Sequence, residues 1–450
     1  MNSAINWDAV TQEAVENLQN LIRIDTTNPP GNELPAVLYI RGVLVKAGIP
    51  DSSIHILESA PGRANLVAHI HGNGAAKPLL LSGHVDVVPV ERQFWTHDPL
   101  SGKIADGCVW GRGALDMKGL LVMYLQAFLL AHRQGTSLKR DLILAAIADE
   151  EAGFVHGSKF LVDKHRDLIQ AEYALNESGG MTLHMAGEKV YALQVAEKGV
   201  CWLRMVASGQ PGHGSMPHSD NAIYHLSTAL QKLKKAGHLP IHLTTTVRQM
   251  LNGLSSQLKF PKSLVFKVLA NPALAGSALA YVPEETRGAF LSMLSNSISP
   301  TILKAGSKSN VIPSEAEVQI DCRLLPGYSP EDAIRELHAI TGDQVKFETL
   351  YTTDGAEFST DTILYRLMEK ATRQMDPEGV VVPYMIPGAT DAFEYKRAGF
   401  VVYGYSPGIL PEGFPMIKLA HGHDERLPIS TYRSGLPALW QVVSEICQTT

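Results

Sequence analysis

The chain contains 450 residues, of which 45% are hydrophobic and 19% are charged. This length exceeds the roughly 250–300 residues at which one hydrophobic core stops growing, so we expect two domains, and the composition excludes a wholly disordered chain. The net charge of −6 provides no basic excess for neutralising phosphates, which argues against a nucleic-acid partner.

The first part of the chain alternates predicted helices with predicted strands. Apolar residues at helical spacing, or in short unbroken runs, define these elements. The alternation indicates an α/β sheet with parallel strands, in which ligands bind beyond the carboxyl ends of the strands. The predicted helices are Val10–Ile24, Leu34–Ala47 and Gly119–Gln134, and the predicted strands are Asn65–His71, Pro78–Ser82, Leu142–Ala148 and Tyr173–Leu175.

A different pattern begins near Lys198 and suits a smaller α+β domain inserted into the first. We therefore expect one domain at 1–197 and 353–450, with the inserted domain at 198–352. The segment 237–300 within the insertion is rich in Leu, Ala, Ser and Pro, and we assign it no structure. The elements predicted in this half are strands at Val200–Ala207, Val318–Leu325 and Gln344–Leu350, and helices at Asn221–Ala236, Pro330–Thr341, Asp361–Gln374 and Leu436–Cys447.

Acidic and histidine side chains follow several of the predicted strands of the first domain. One such residue at a strand end is common, and Asp116 alone would be read as a helix N-cap. Several strand ends of this kind, together with a distal histidine cluster, favour a metal site. Imidazole and carboxylate ligands without thiolate suit catalytic zinc, manganese or cobalt. The residues concerned are His84, Asp86, Asp116, Glu150, Glu151, Glu177, His421 and His423.

The order of these residues along the chain resembles that of the M20 metallopeptidases, a family that includes glutamate-releasing carboxypeptidases, aminoacylases and acetylornithine deacetylases. The loop Asp25–Gly31, the segment Gly209–Ser215, and Ser309–Pro313 followed by Asp321–Arg323 match the family as well. The resemblance implies an α/β fold: a mixed-sheet zinc-peptidase catalytic domain with an inserted α+β lid and dimerisation domain. It also implies a homodimer and two divalent metal ions, zinc with cobalt or manganese as alternatives.

The resemblance assigns a role to each matched residue. One metal ion would be bound by His84 and Glu177, the other by Glu151 and His421, and Asp116 would bridge both. The Asp116–Met117 peptide bond is expected to be cis. Asp86 would orient His84, and Glu150 would be the general base. His213 would complete the site across a dimer interface. Asn310 and Arg323 would contact the substrate carboxylate and carbonyl, and Gly388 would be a substrate-pocket glycine.

Two pairs of residues compete for the same role. Either His421 or His423 could be the last ligand, and the family pattern His-Gly-x-x-Glu favours His421 with Glu425. The first glutamate of the pair at 150 and 151 is the base in relatives, which favours Glu150. The implied reaction is hydrolysis of an amide bond next to a free carboxylate, with a small peptide or an N-acyl amino acid as substrate.

Three functions remain open: a carboxypeptidase or dipeptidase, an N-acyl-amino-acid deacylase, and a non-catalytic binding protein on the same fold. The long segment 237–300 resembles the branch related to carboxypeptidase S and to secreted N-fatty-acyl-amino-acid hydrolases. Its apolar residues either line an acyl-chain pocket or bury the segment against its own domain, and we favour burial. These residues are Leu251, Leu254, Leu258, Phe260, Val265, Phe266 and Leu269.

Cysteine usage and the N-terminus indicate a cytoplasmic protein. The four cysteines, Cys108, Cys201, Cys322 and Cys447, are far apart in the sequence and form no CxxC pair, which suggests reduced thiols. The first residues show neither a basic region nor an apolar run typical of a secretory signal. No apolar run reaches the ~18 residues that cross a bilayer, so we expect no membrane partner.

Overall fold

The computed structural model describes residues 4–135, 137–185, 187–279, 282 and 284–448. The elements of the first part are α1 (Trp7–Arg23), α2 (Leu34–Lys46), β1 (Ile54–Ala60), β2 (Arg63–Ile70), β3 (Leu79–His84), β4 (Lys103–Ala105), β5 (Cys108–Trp110), α3 (Lys118–Gln134), β6 (Leu142–Ile147), α4 (Ser158–Lys164), α5 (Arg166–Ile169), β7 (Tyr173–Asn176), β8 (Thr182–Met185) and β9 (Glu188–Glu197). The middle elements are β10 (Gly199–Ser208), β11 (Gly212–His213), α6 (Ala222–Ala236), α7 (Thr245–Gln257), α8 (Lys262–Leu269), α9 (Pro272–Leu279), α10 (Glu284–Leu294), β12 (Ser297–Ala305), β13 (Val311–Ile312), β14 (Glu315–Leu324), α11 (Pro330–Thr341), β15 (Val345–Thr352) and β16 (Ala356–Glu357). The last elements are α12 (Ile363–Met375), β17 (Val380–Ile386), α13 (Ala392–Arg397), β18 (Val401–Gly404), α14 (Met416–Leu419), β19 (Arg426–Pro428) and α15 (Ile429–Cys447).

The chain forms two compact units. The first contains the residues up to 195, residues 358–382 and the residues from 390 onward, and the second contains residues 196–357 and 383–389. The sequence analysis drew the boundaries at 197 and 353 and assigned residues 383–389 to the first domain. The structure therefore moves both boundaries by a few residues and groups that short stretch with the second unit.

The first unit is built on a mixed sheet with the strand order β1-β2-β6-β3-β7-β18-β9. Strands β3, β6, β7 and β18 run parallel, whereas β1 and β2 pair antiparallel at one side and β9 does so at the other. Both β3 and β6 are buried along their whole length, as expected for unbroken apolar runs covered on both faces. The predicted α/β fold with a mixed sheet is confirmed.

Helices cover both faces of this sheet. Leu79 and Leu81 of β3 belong to a core that contains buried residues of α1, α3 and α15. Leu80, between them, belongs to the opposite core with residues of α4 and α13. Because successive side chains of a strand point to opposite faces, one short strand anchors both layers. The loops that follow β3, β6 and β7 therefore start from a rigid support.

The second unit contains a four-stranded antiparallel sheet in the order β12-β14-β10-β15. Helices α6 and α11 pack against one face, where Leu203, Val318 and Leu337 are buried together. Helix α11 begins with a capping box in which the side chains of Ser329 and Asp332 each accept a hydrogen bond from the other residue's backbone N–H. This arrangement agrees with the α+β pattern expected for the insertion.

The segment 237–300 is helical where it is described. It contains α7, α8, α9 and α10 and leads into β12, while residues 280, 281 and 283 lie outside the described part of the chain. Leu251, Leu254 and Leu269 are buried, whereas the side chains of Phe260 and Val265 are 80% and 47% exposed. Phe266 is buried as well, so four of the seven apolar residues named in the sequence analysis are buried.

The four cysteines are free and buried. Within the part of the chain that the structure describes, no helix combines the length and the apolar character needed to span a membrane.

Candidate metal centre

Acidic and histidine side chains from distant parts of the chain meet at one edge of the first unit's sheet. Strands β3, β6 and β7 are parallel, so their carboxyl ends share this edge. A loop before α3 and a turn after α14 contribute the remaining residues. The residues of the cluster are His84, Asp86, Asp116, Glu150, Glu151, Glu177 and His421.

His84 is the last residue of β3, and its side chain is fully buried. Its Nδ1 lies 2.9 Å from the backbone oxygen of Asp86, to which an N–H at this position donates. The other ring nitrogen, Nε2, faces Asp116 Oδ1 at 3.3 Å and Glu177 Oε2 at 3.7 Å. Burial opposes a charge on this ring, but the hydrogen bonds of Asp116, Asp86 and Glu177 outweigh it and raise the pKa of His84 well above its usual value.

Asp86 holds the turn that carries the paired glutamates. Its buried carboxylate accepts hydrogen bonds from the backbone N–H groups of Glu150 at 3.2 Å and Glu151 at 3.1 Å. The Oδ1 atom lies 3.5 Å from Nδ1 of His84, so the backbone oxygen of Asp86 makes the shorter contact to that ring. Asp86 thus contacts His84, and it also supports the Glu150–Ala152 turn through two backbone N–H groups.

Asp116 lies between two imidazoles. Its Oδ1 is 3.3 Å from His84 Nε2, and its Oδ2 is 3.0 Å from His421 Nε2. Burial disfavours the charged carboxylate, but hydrogen bonds with His421 and His84 hold the pKa of Asp116 below its usual value. The Asp116–Met117 peptide bond is cis, as expected. The arrangement is that of a carboxylate able to contact two cations at once.

Glu425 fixes the loop that carries Asp116. Its buried carboxylate accepts hydrogen bonds from the backbone N–H groups of Gly113 at 3.0 Å, Leu115 at 2.7 Å and Asp116 at 3.0 Å. It also accepts from Nη1 of Arg112 at 2.7 Å. Glu425 was noted in the sequence only as part of a pattern around His421, and Arg112 was not singled out at all.

Glu150 and Glu177 lie on the His84 side of the cluster. Glu150 Oε2 is 4.0 Å from His84 Nε2. Burial and the negative charge of Glu177 raise the pKa of Glu150 well above its usual value. The Oε1 atom of Glu177 is buried and has no hydrogen-bond partner among the described residues. A buried oxygen without a partner destabilises the folded state unless a cation occupies the neighbouring space.

His421 rather than His423 enters the cluster. His421 Nε2 lies 3.1 Å from Glu151 Oε2 and 3.0 Å from Asp116 Oδ2. Hydrogen bonds with Asp116 and Glu151 raise the pKa of His421 to about 10. His423 instead stacks on Phe94 and reaches Glu91 at 3.1 Å.

The donor set fits divalent cations. His84, Asp116 and Glu177 each offer a ligand atom within 4.8 Å of the others, and so do Asp116, Glu151 and His421. The raised pKa values of the two imidazoles show that the cluster attracts positive charge. Imidazole nitrogen and carboxylate oxygen are ligands that zinc, cobalt and manganese accept.

The other residues singled out in the sequence belong to the second unit. His213 in β11 pairs with Val311, and its Nδ1 accepts from the backbone N–H of Ser215 at 3.2 Å. The backbone oxygen of Asn310 accepts a hydrogen bond from the backbone N–H of Gly214 at 2.8 Å, so Asn310 lies beside the residue that follows His213. Arg323 in β14 forms an ion pair with Asp321 at 2.9 Å, and the Gly388 carbonyl accepts from the backbone N–H of Lys198.

Sequence reasoning missed a second layer of side chains behind the cluster. Asn28 donates to Asp86 Oδ2 at 2.9 Å and to Asp149 Oδ1 at 3.0 Å. Arg63 in turn forms ion pairs with Asp149 at 2.7 Å and with Glu33 at 2.8 Å. In the sequence, Asn28 belongs to the family-like loop Asp25–Gly31 and Asp149 precedes the paired glutamates, but nothing local shows that either side chain supports a site.

Residues 80–445 match the model of peptidase family M20/M25/M40. A probable carboxypeptidase S-like 2 of Dictyostelium discoideum is 30% identical over 79% of this chain and 69% of its own length. The N-fatty-acyl-amino acid synthase/hydrolase PM20D1 of Xenopus tropicalis is 26% identical over 92% of this chain and 82% of its own length. Aminoacylase-1 of Sus scrofa is 26% identical over 94% of this chain and 93% of its own length.

Solved structures share the fold at low sequence identity. The M20 family metallo-carboxypeptidase Sso-CP2 of Sulfolobus solfataricus aligns with a TM-score of 0.71 and 18% identity over 96% of this chain and 98% of that one. The YXEP protein of Bacillus subtilis is described as a dinuclear metal binding peptidase. It aligns with a TM-score of 0.59 and 14% identity over 97% of this chain and 98% of that one.

Proposed function

This chain belongs to peptidase family M20/M25/M40 and is a hydrolase of the carboxypeptidase and aminoacylase type, and we propose that it cleaves an amide bond next to a free carboxylate at a centre of two divalent metal ions. The observation that carries this proposal is the position of Asp116 between His84 and His421. A carboxylate shared by two imidazole-containing ligand sets is what a two-metal site requires.

We assign the ligands as follows. His84 and Glu177 would hold one ion, Glu151 and His421 would hold the other, and Asp116 would contribute a carboxylate oxygen to each. The bound ions would supply Lewis acidity, which acidifies a water molecule and polarises the substrate carbonyl. We propose zinc as the native ion, with cobalt or manganese as the alternatives that the same donor set accepts. The description of the Bacillus subtilis neighbour as dinuclear supports this assignment.

We assign proton transfer to Glu150. Burial and the charge of Glu177 raise the pKa of Glu150, so this carboxylate binds a proton more readily than an ordinary glutamate, which suits a group that must accept a proton and give it back. An oxygen of Glu150 takes the proton of the attacking water as the water oxygen bonds to the carbonyl carbon. Glu150 then delivers this proton to the leaving nitrogen as the C–N bond breaks. Asp86 positions Glu150 through its backbone N–H.

Four residues of the second unit take part by resemblance to the family. The backbone N–H of Ser215 donates to Nδ1 of His213, and Ser215 Oγ lies 2.7 Å from the same nitrogen. We assign the ring proton of His213 to Nε2, from which it can be donated to an oxyanion. We assign Asn310 and Arg323 to the carbonyl and carboxylate of the substrate, because an arginine fork matches a carboxylate. Gly388 would form part of the substrate pocket, and a second copy of the chain in a homodimer would supply His213.

We propose the C-terminal residue of a small peptide or an N-acyl amino acid as substrate. Similarity to the carboxypeptidase S-like relative supports a peptide as the substrate. A second candidate function is deacylation of N-acyl amino acids. Similarity to aminoacylase-1 and to the N-fatty-acyl-amino acid synthase/hydrolase supports it. Both reactions hydrolyse the same kind of bond and need the same free carboxylate.

A substrate panel tests the proposal and separates the two candidates. Acetyl-, long-acyl- and carbobenzoxy-amino acids are compared with unblocked dipeptides, each with chelator and after zinc is restored. Release from the acylated compounds alone identifies a deacylase, and release from peptides identifies a peptidase. Amides whose carboxylate is esterified should be poor substrates. Hydrolysis that persists in chelator, with no metal bound to the protein, overturns the proposal.

A further inference from the structure

A second histidine cluster lies at the other end of the sheet from the metal centre. His69 is near the end of β2, His71 follows that strand, and Asp141 immediately precedes β6. The register pairs Ile70 with Leu142, which brings these ends together. The six residues of β6, at roughly 3.3 Å each, place this cluster about 20 Å from the Glu150–Ala152 turn.

The three side chains are close enough to share one cation. His69, His71 and Asp141 each offer a ligand atom, and these atoms lie within 4.8 Å of one another. The rings of His69 and His71 are stacked with centroids 5.8 Å apart, and His71 Nδ1 lies 3.0 Å from Asp141 Oδ2. The ring of His55 on β1 packs edge-on against that of His69, with ring centroids 6.0 Å apart.

His69 has a ring nitrogen ready to coordinate. Its Nε2 is buried and has no hydrogen-bond partner among the described residues. Burial lowers the pKa of His69, which favours the neutral ring that can offer a nitrogen lone pair. Neutral imidazole with a free ring nitrogen is the form of histidine that binds metal ions.

The cluster is also open to solvent. The side chain of His71 is 71% exposed and that of Asp141 is 29% exposed, so an ion can enter without a change of fold. The second oxygen of Asp141 accepts a hydrogen bond from the backbone N–H of Gly72 at 2.8 Å, which fixes the orientation of the carboxylate. Such support is typical of metal-binding carboxylates.

We propose that His69, His71 and Asp141 form a peripheral binding site for one divalent transition-metal ion of the kind that imidazole and carboxylate prefer: zinc, nickel or copper. The site is separate from the centre around Asp116 and does not depend on the proposed function. Its ion would join the end of β2 to the start of β6, so binding stabilises the fold without taking part in hydrolysis.

Counting bound zinc tests this site. The full-length protein and the variants His69→Gln, His71→Gln and Asp141→Asn are dialysed against the same saturating free zinc concentration, and bound metal is measured by mass spectrometry. His132→Gln, which removes an imidazole at the end of α3, is the matched control. We expect wild type and His132→Gln to bind one equivalent more than each of the three cluster variants.

A second measurement separates binding from misfolding. Thermal unfolding in chelator should give the same midpoint for wild type and for the exposed His71→Gln variant. Zinc in excess should then raise the midpoint of wild type more than that of His71→Gln, while hydrolysis by the two proteins stays equal. Equal zinc content in wild type and His71→Gln, or equal zinc-induced shifts, overturns the proposal whatever the activity of the protein.

Discussion

The carboxylate of Glu425 accepts a hydrogen bond from the guanidinium of Arg112 at 2.7 Å, and both side chains are buried. The same carboxylate accepts hydrogen bonds from three backbone N–H groups, the last of which belongs to Asp116. A pair of residues outside the proposed ligand set therefore fixes the loop on which the shared ligand depends.

Replacing Glu425 with Gln should lower both stability and metal affinity. The substitution leaves the Arg112 guanidinium buried without its counter-charge, and breaking a buried pair in this way costs about 3 kcal/mol in the free energy of unfolding. Loss of support for a ligand loop should also weaken metal binding by about 10- to 100-fold. Urea unfolding and zinc titration measure the two effects.

Glu91→Gln is the matched control for this change. Glu91 is exposed and contacts His423 rather than the cluster, so its replacement should alter stability by less than about 0.5 kcal/mol. If Glu425→Gln behaved like Glu91→Gln in both measurements, the loop would not depend on this carboxylate.

Replacing Glu150 with Gln should abolish most of the activity while leaving metal binding intact. Glutamine keeps the shape of the side chain but cannot accept a proton, and loss of a general base typically lowers kcat by about 10²–10⁴-fold. Bound zinc and the unfolding midpoint of the variant serve as controls. A variant that kept wild-type kcat with a full metal complement would show that another group moves the proton.

Lys198 should make the stability of the second unit depend on pH. Its side chain is buried and donates to the backbone oxygens of Ser292 and Ser295, at 3.0 Å and 2.9 Å. Burial lowers the pKa of Lys198 from 10.5 to about 7. Between these values the unfolded chain binds the extra proton, so stability rises with pH by up to about 1.4 kcal/mol per pH unit.

Urea unfolding at several pH values from 7 to just above 10.5 measures this effect, with Lys198→Met as the comparison. The difference in unfolding free energy between wild type and the variant should change in favour of wild type as pH rises, and should level off above 10.5. Parallel curves for the two proteins would mean that Lys198 keeps an ordinary pKa in the folded state.

The helical segment 237–300 should respond to truncation at its buried positions and tolerate it at its exposed ones. Leu254 is 1% exposed, and Leu254→Ala should cost about 2–5 kcal/mol because it leaves a cavity. Phe260 is 80% exposed, and Phe260→Ala should change stability by less than about 0.5 kcal/mol. Chemical unfolding of both variants provides the test.

The Phe260→Ala variant also tests the hypothesis that apolar residues of the segment 237–300 line an acyl-chain pocket. If the apolar residues serve mainly to bury the segment, Phe260→Ala should hydrolyse acetyl- and long-acyl-amino acids in the wild-type ratio. A selective fall in kcat/KM for the long-acyl substrates would instead assign the exposed phenylalanine to substrate binding.

The secondary structure of the first unit could largely be predicted from the sequence. Helix α3 was predicted at Gly119–Gln134 and spans Lys118–Gln134, and β6 was predicted at Leu142–Ala148 and spans Leu142–Ile147. Both are long apolar runs bounded by polar residues, a signal that depends only on neighbouring positions.

The secondary structure of two parts of the chain could not be predicted from neighbouring residues. The last helix was predicted from Leu436 but begins at Ile429 and contains Pro437. Tertiary burial of Tyr432 and Leu436 maintains the helix across a residue that would break it in isolation. The helices α8 and α9 have eight residues each, too few to show a clear period.

The sequence by itself determined the chemical types of the ligands and their order along the chain, because side-chain chemistry is a local property. Only the tertiary structure decided that His421 rather than His423 enters the cluster, and that Asp86 holds the glutamate turn. Glu151 and His421 are 270 residues apart. Their contact depends on how β6 and the turn after α14 are held by packing and hydrogen bonds elsewhere in the first unit, which no local pattern encodes.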